Sequence, residues 1–238
     1  LSPQEPREGN PMTTSTSPDL ASELSLSAQM KQGSLVEHEQ AENSTFMSEL
    51  LGGRINEVGY IAYLQRLRVV YEALEASARE MADDDLVSQV YDVALERLAT
   101  IDADLAEWSH RTGIPLEPIS SPAADAYAAR LAEITDWGGY VVAHHYTRYL
   151  GDLSGGQAIG RLVDRHFDLD GAGIATYAFD LSSAVKPYKD EYRRSLDAIG
   201  ESLSAADRER IVDEVRTAFL LHHDLFAELS SMMDQYRR

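Results

Sequence analysis

Residues 146–157 read YTRYLGDLSGGQ, and they sit inside a pattern that is helical on both sides, from about Gly138 to Phe167. Gly151, Gly155 and Gly156 stand within it, and each glycine costs a helix interior about 0.5–1 kcal/mol relative to alanine. Something must offset that cost. A kink or a close helix crossing through small residues does so. So does a helix backbone lying flat against a planar ligand, too close to admit a Cβ, with Asp152 just off the contact face. Gly151 and Gly155 are four residues apart and share a face, which suits the crossing and the ligand equally and leaves both open.

Outward from this stretch the apolar period is helical nearly throughout from Leu24. A first helix is expected over 24–42. Asn43 and Ser44 offer a cap for a short second one ending at Gly52–Gly53. Asn56 caps a long third helix with the stripe Tyr60, Leu64, Leu67, Tyr71, Leu74 and Ala78. The acidic turn Asp83–Asp85 is expected to start a fourth, with Val90, Ala94, Leu98, Ile101, Leu105 and Trp108 on one face. A connector over Gly113–Ile119 precedes Ser121–Pro122, a cap and first-turn proline for a helix to about Thr135. Beyond the 138–167 segment come a loop over Asp168–Leu181 and helices at about 183–199 and 205–236, the latter capped by Ser204. No sustained two-residue alternation occurs, so the fold class is all-α.

Residues 1–22 carry four prolines and many Ser, Thr and charged residues. They lack the apolar surface to offset ordering and are read as a disordered tail, with Met12 as the natural start and residues 1–11 as an artefact upstream of it. The remaining 23–238 are read as one domain. The chain of 238 residues has 21 basic and 40 acidic residues, a formal charge of −19, which argues against a nucleic-acid or anionic-membrane binder. With no cysteine there is no disulfide, thiolate metal site or thiol nucleophile. His, Asp and Glu chemistry remains. No apolar run reaches the roughly 18–20 residues of a membrane span, and the expected setting is cytoplasmic.

On the first helix Lys31, Leu35, His38 and Glu42 are spaced to share a face. His38 reads either as an ordinary surface histidine or as a metal ligand oriented by Glu42 one turn on. The adjacent pairs His144–His145 and His222–His223 point about 100° apart on a helix and cannot chelate. Glu107-x-x-His110 is the unit that carboxylate-bridged di-iron bundles use twice. It occurs here once, which leaves His110 as a solvated residue near a helix end. Lys186, Lys189, Arg193 and Arg194 form a basic stripe, either a solvated face balanced by Asp190 and Glu191 or a clamp for carboxylates or an acidic partner.

Taken together these stretches resemble a family. YTRYLGDLSGGQ is similar to the distal-helix signature of heme oxygenases, and HEQAENSTFM at 38–47 resembles the segment carrying their proximal heme ligand. KDEYRRSL at 189–196 and TAFLLHHDLFAEL at 217–229 extend the resemblance from about Leu24 to Leu229. It implies a single multi-helix domain with heme b, at once cofactor and substrate, sandwiched between a proximal helix and a kinked distal one. The implied reaction uses dioxygen and an external electron donor, such as a ferredoxin or flavin-dependent reductase, to yield biliverdin, carbon monoxide and ferrous iron. The soluble bacterial branch is implied, with neither nucleic acid nor membrane as partner.

Carried over by position, the resemblance makes His38 the axial ligand and Glu42 its partner, with Gly151 and Gly155 the glycines against the heme. Asp152 anchors a water network supported by Tyr71, Glu75, Thr147 and Arg148. Lys31, Tyr146, Lys189 and Arg193 match propionate-holding positions, and Phe219 and Phe226 match apolar pocket residues. His222 departs from the family, which usually carries asparagine there. A histidine titrates near pH 6.5, so turnover is expected to vary with pH if His222 touches the network, whereas a ring turned away leaves it unaffected. A heme carrier would need neither Asp152 nor the glycine pair, and a non-heme metal enzyme on the same scaffold would show His and carboxylates where the glycines stand.

Overall fold

The computed structural model describes residues 24–238, and the expected tail over 1–22 lies outside them. The described chain is built from helices α1 (Leu26–Gly33), α2 (Leu35–Glu42), α3 (Thr45–Leu51), α4 (Glu57–Glu80), α5 (Leu98–Thr112) and α6 (Pro122–Glu133). There follow α7 (Gly138–Gly151), a π-helical turn (Asp152–Gly156), α8 (Gln157–Phe167), α9 (Val185–Ser202), α10 (Ala205–Ser231) and a closing turn α11 (Met233–Tyr236). No strand occurs among the described residues, and one antiparallel bridge joins Ile55 to Arg237.

Local chemistry sets most of the boundaries. Ser44, Asn56, Ser121 and Ser204 each accept a hydrogen bond from the backbone N–H three residues on, and Pro122 fills the first helical position of α6. The stripe from Tyr60 to Ala78 on α4 is buried, and α5 and α6 pack against that helix. The 27-residue α10 packs on α7 and also on α1, α2, α3 and α6. Thus α4, α7 and α10 form the frame of the functional site.

Two expected helices change. The first, over 24–42, breaks at Ser34, whose φ is −121° and whose hydroxyl donates to the Met30 carbonyl at 2.8 Å. Gly33 beside it is pressed against α10, where an added Cβ would clash with Val212 Cγ1. The break interrupts the helical register, so Lys31 no longer shares a continuous face with His38 and Glu42. The fourth helix begins at Leu98 rather than at Asp83. Asp84 Oδ1 accepts from the N–H groups of Leu86 and Val87, and Asp92 Oδ1 from that of Ala94. These local bonds hold the segment in turns and two 3₁₀ turns, Val87–Gln89 and Val93–Leu95. Glu75 supplies the missing start signal from across the fold: Oε1 accepts from Arg97 N at 2.5 Å and Leu98 N at 2.8 Å. A carboxylate at a helix N-terminus is favourable on both hydrogen-bonding and dipole grounds.

A second buried polar centre ties α6 and α7 to α10. Glu214 Oε1 accepts from His144 Nε2 at 2.8 Å and from Arg130 Nε at 2.9 Å. Burial alone would raise this carboxyl, but the bonds from His144 and Arg130 outweigh it and hold the pKa down to about 2. Burial pushes His144 below its ordinary value, so the ring stays neutral and donates through Nε2. His145 turns instead to Tyr192, with Nδ1 and the hydroxyl hydrogen-bonded at 2.6 Å, and the two histidines serve different neighbours.

Glu214 therefore contributes stability that is complete above its unfolded pKa of about 4.5 and is lost as pH falls toward 2. Glu214→Gln keeps the shape and an acceptor for His144 but not the charge. Its destabilisation should reach on the order of 2–3 kcal/mol at pH 7 and vanish across pH 4.5 to 2, as measured by chemical denaturation. A gap that does not change with pH would mean that the carboxylate charge is not what stabilises this contact.

Candidate functional site

Gly151, Asp152 and Gly156 all have right-handed helical φ, at −61°, −62° and −54°. No unusual backbone conformation therefore requires a glycine in this stretch, and the absent Cβ is what matters. At Gly151 and at Gly155 an added Cβ would meet nothing within 4 Å. A helix crossing is thereby removed as their explanation, and an open backbone face remains. Gly160, one turn further, is different: its Cβ would lie 2.8 Å from Tyr177 Cβ, so it is a packing glycine. The expected kink takes the form of the π turn, an irregularity common at functional sites. Gln157 braces this turn from behind, Nε2 donating to the Tyr177 carbonyl at 2.8 Å.

Next to the open face lies a buried polar network. Arg148 on α7 donates from Nη2 and Nε to the Tyr71 hydroxyl at 2.8 and 3.2 Å, and from Nη2 to Asp152 Oδ1 at 3.3 Å. Tyr71, from α4, donates in turn to Asp152 Oδ2. Burial drives the Tyr71 phenol well above its ordinary pKa, so it keeps its proton and acts as a donor. Burial also raises the Asp152 carboxyl, against the opposing pull of Arg148. The fourth member is His222 on α10, which takes a bond from Arg148 Nη1 to Nδ1 at 2.7 Å.

His222 thus turns inward and touches the network, but the titration expected of it does not follow. Burial, with Arg148 beside it, pushes the imidazole well below its ordinary pKa. The same Nη1 lies 3.3 Å from Nε2; because a guanidinium can only donate, the neutral ring accepts through the closer Nδ1 and carries its proton on Nε2. The ring is neutral across the physiological range.

The proximal candidate sits at the other end of the same α10 face. Phe219, His222 and Phe226 are spaced three and four apart and line one stripe. The His38 ring meets Phe219 edge-on at 5.3 Å between centroids, and His222 meets Phe226 likewise at 4.3 Å. His38 is 46% exposed, with Nε2 3.5 Å from Glu42 Oε1, so the imidazole is accessible and has a carboxylate beside it. One helix stripe therefore links His38 to the Arg148 network.

The other expected residues divide. Lys189 Nζ donates to Ser154 Oγ on the π turn at 3.0 Å, and Arg193 donates to Asp190 at 3.0 Å. Tyr146 is half-buried close to Arg193, and Lys31 is exposed on α1, which packs on α9. Lys186 and Arg194 pair with Asp190 and Glu191 at the surface, so only part of the basic stripe faces the distal turn. Thr147 bonds back to the Ala143 carbonyl at 2.9 Å, and Glu75 is engaged at the start of α5, so neither hydroxyl nor carboxylate joins the Tyr71–Asp152 bonds. Their network places, implied by the resemblance, find no bond in the structure. His110 is exposed near the end of α5. Ser154, Gln157 and Tyr177 were not singled out from the sequence. Ser154 and Gln157 lie within the 146–157 stretch, but no local signal pairs Tyr177 with it.

Comparison with known proteins agrees with this geometry. Residues 24–228 match a family model described as heme oxygenase. A heme oxygenase of Rhodella violacea is 33% identical over 216 residues, covering 88% of each chain. Heme oxygenase 1 of Homo sapiens is 33% identical over 212 residues, covering 87% of this chain and 73% of the human one. Among solved structures, heme oxygenase-1 of Synechocystis in complex with heme superimposes with a TM-score of 0.79 at 30% identity, covering 89% of this chain and 95% of that one. A TenA homologue from Pyrococcus furiosus, 14% identical with a TM-score of 0.61 and covering 86% of this chain and 99% of that one, shares the fold alone.

An open face at Gly151 has a measurable consequence for stability. Gly151→Ala adds a methyl group to empty space in a right-handed helical position, and should stabilise the ligand-free protein by about 0.5–1 kcal/mol. For a chain of this size that corresponds to a rise in Tm of roughly 1–4 °C by circular dichroism. A lowered Tm would show that the position is packed.

Proposed function

The chain belongs to the heme oxygenase family and is an enzyme that degrades heme to biliverdin, carbon monoxide and iron; from that premise we propose that heme binds between α2 and the glycine face of the distal turn. The observation that carries this reading is the empty space over Gly151 and Gly155 beside the buried Tyr71–Arg148–Asp152 network. Heme, when bound, supplies both the redox-active iron at which dioxygen is reduced and the ring that is cleaved.

The chain's own residues divide the remaining work. His38 would offer an imidazole nitrogen to the heme iron, with the Glu42 carboxylate 3.5 Å from Nε2 to orient the ring. The backbone at Gly151 and Gly155 forms a flat wall without side chains, which would let the heme lie close against it. Asp152 is the terminal acceptor of a one-way donor chain, Arg148 to Tyr71 to Asp152. Its Oδ2 is committed to Tyr71, whereas Oδ1 has only the 3.3 Å contact with Arg148, so Oδ1 is the atom that holds a water and passes a proton. Lys31, Tyr146, Lys189 and Arg193 hold the propionates, and Phe219 and Phe226 form the apolar wall. Glu75, one turn beyond Tyr71 on α4, supports the site by fixing α5 to that helix.

The substrate is taken to be heme b, with electrons from a ferredoxin or a flavin-dependent reductase and the reaction placed in the cytoplasm. No helix among the described residues is long and apolar enough to cross a membrane.

Hemin with a reductant in air tests the reading. The wild-type protein should lose its Soret band as a biliverdin band grows. His38→Ala should bind hemin in another ligation state and lose most of its turnover, with added imidazole restoring part of it. A His38→Ala protein with wild-type spectrum and rate would remove His38 as the heme ligand.

A further inference from the structure

His222 lies on the far side of Arg148 from Asp152, and the distances rank the bonds of the guanidinium. The contact to His222 is 2.7 Å, those to Tyr71 are 2.8 and 3.2 Å, and that to Asp152 is 3.3 Å. The position of Arg148 is therefore set from α10 and α4 more firmly than by the carboxylate one turn along its own helix. His222 is itself well fixed, 9% exposed and edge-on against Phe226 at 4.3 Å. Arg148 on α7 is the charged group that faces it, with Tyr71 of α4 and Asp152 of the distal turn beyond.

We propose that His222 is a positioning residue for heme degradation: by accepting from Arg148 Nη1 it fixes the guanidinium that aims the Tyr71 hydroxyl at Asp152. The assignment rests on the functional reading given above. Its consequence is mechanical. Asp152 can loosen its long contact with Arg148 while it handles a proton, because Arg148 keeps two short bonds elsewhere and Tyr71 stays aimed. The imidazole does this as a neutral acceptor, so its part in the reaction is geometric and does not switch with pH. Asparagine can fill the same place through Oδ1, whereas leucine, of similar bulk, has no acceptor. Without an acceptor at 222 a buried guanidinium N–H loses its partner, and Arg148 shifts toward the nearest one left, the Asp152 carboxylate.

Two measurements test this, one of them on heme-free protein. In ¹⁵N-histidine-labelled apoprotein, His222 should show a bare Nδ1 and a protonated Nε2 at every pH from 6 to 9. His222→Leu, confirmed folded by circular dichroism, should bind hemin with wild-type affinity but lower kcat for biliverdin formation by about tenfold, the scale of one lost charge-assisted hydrogen bond. His222→Asn should recover most of that loss. A doubly protonated His222 ring within that range, or a folded His222→Leu protein with wild-type kcat, would overturn the assignment. Loss of hemin affinity in step with kcat would also overturn it, by making His222 part of the pocket wall. If the wild-type protein fails to degrade hemin, the functional reading fails, and the spectrum of the apoprotein still decides whether Arg148 is held by a neutral His222.

Discussion

One buried guanidinium, that of Arg148, organises the distal side of this molecule. Arg148 is 7% exposed, and an unpaired charge so placed would cost several kcal/mol. Burial works against its positive charge, but the oxygens of Tyr71 and Asp152 outweigh burial and raise its pKa above the ordinary value. Those partners come from α4 and from the distal turn, and the third, His222, comes from α10. The three elements must meet at one point for the charge to be tolerated. The same meeting places a carboxylate beside the glycine face.

The glycine face shows the opposite economy. Gly151 and Gly155 stand in ordinary helical conformations facing empty space, where alanine would fit and would stabilise the helix. Stability is conceded there for access, a compromise typical of sites that must admit a ligand. Elsewhere glycines are kept for packing, as at Gly160 against Tyr177 and Gly33 against Val212. The distinction separates a ligand surface from a helix crossing, which spacing alone could not do.

Much of this was legible in the sequence because its causes are local. Ser44, Asn56, Ser121 and Ser204 cap helices through their own side chains, and the α4 stripe follows the helical period. The family resemblance, carried by a twelve-residue stretch, extended that reading to the chemistry. What could not be read depends on contacts made across the fold. The break at Ser34 needs Val212 of α10 pressing on Gly33, and the late start of α5 needs Glu75 reaching from α4. The neutrality of His222 is of the same kind, since a solvated histidine would titrate and only burial against Arg148 prevents it.

The central claim is that the geometry of Arg148, and not merely its charge, holds the distal network. Arg148→Lys tests it most directly, because lysine keeps the positive charge but lacks the planar fork that reaches Tyr71, Asp152 and His222 together. The measurement is biliverdin yield per hemin bound, in air with excess reductant, on a variant shown to be folded and to bind hemin as the wild type does. The account predicts a yield lowered by about tenfold or more, in line with the loss of an aligned proton path. A wild-type yield from Arg148→Lys would contradict it and show that charge alone suffices.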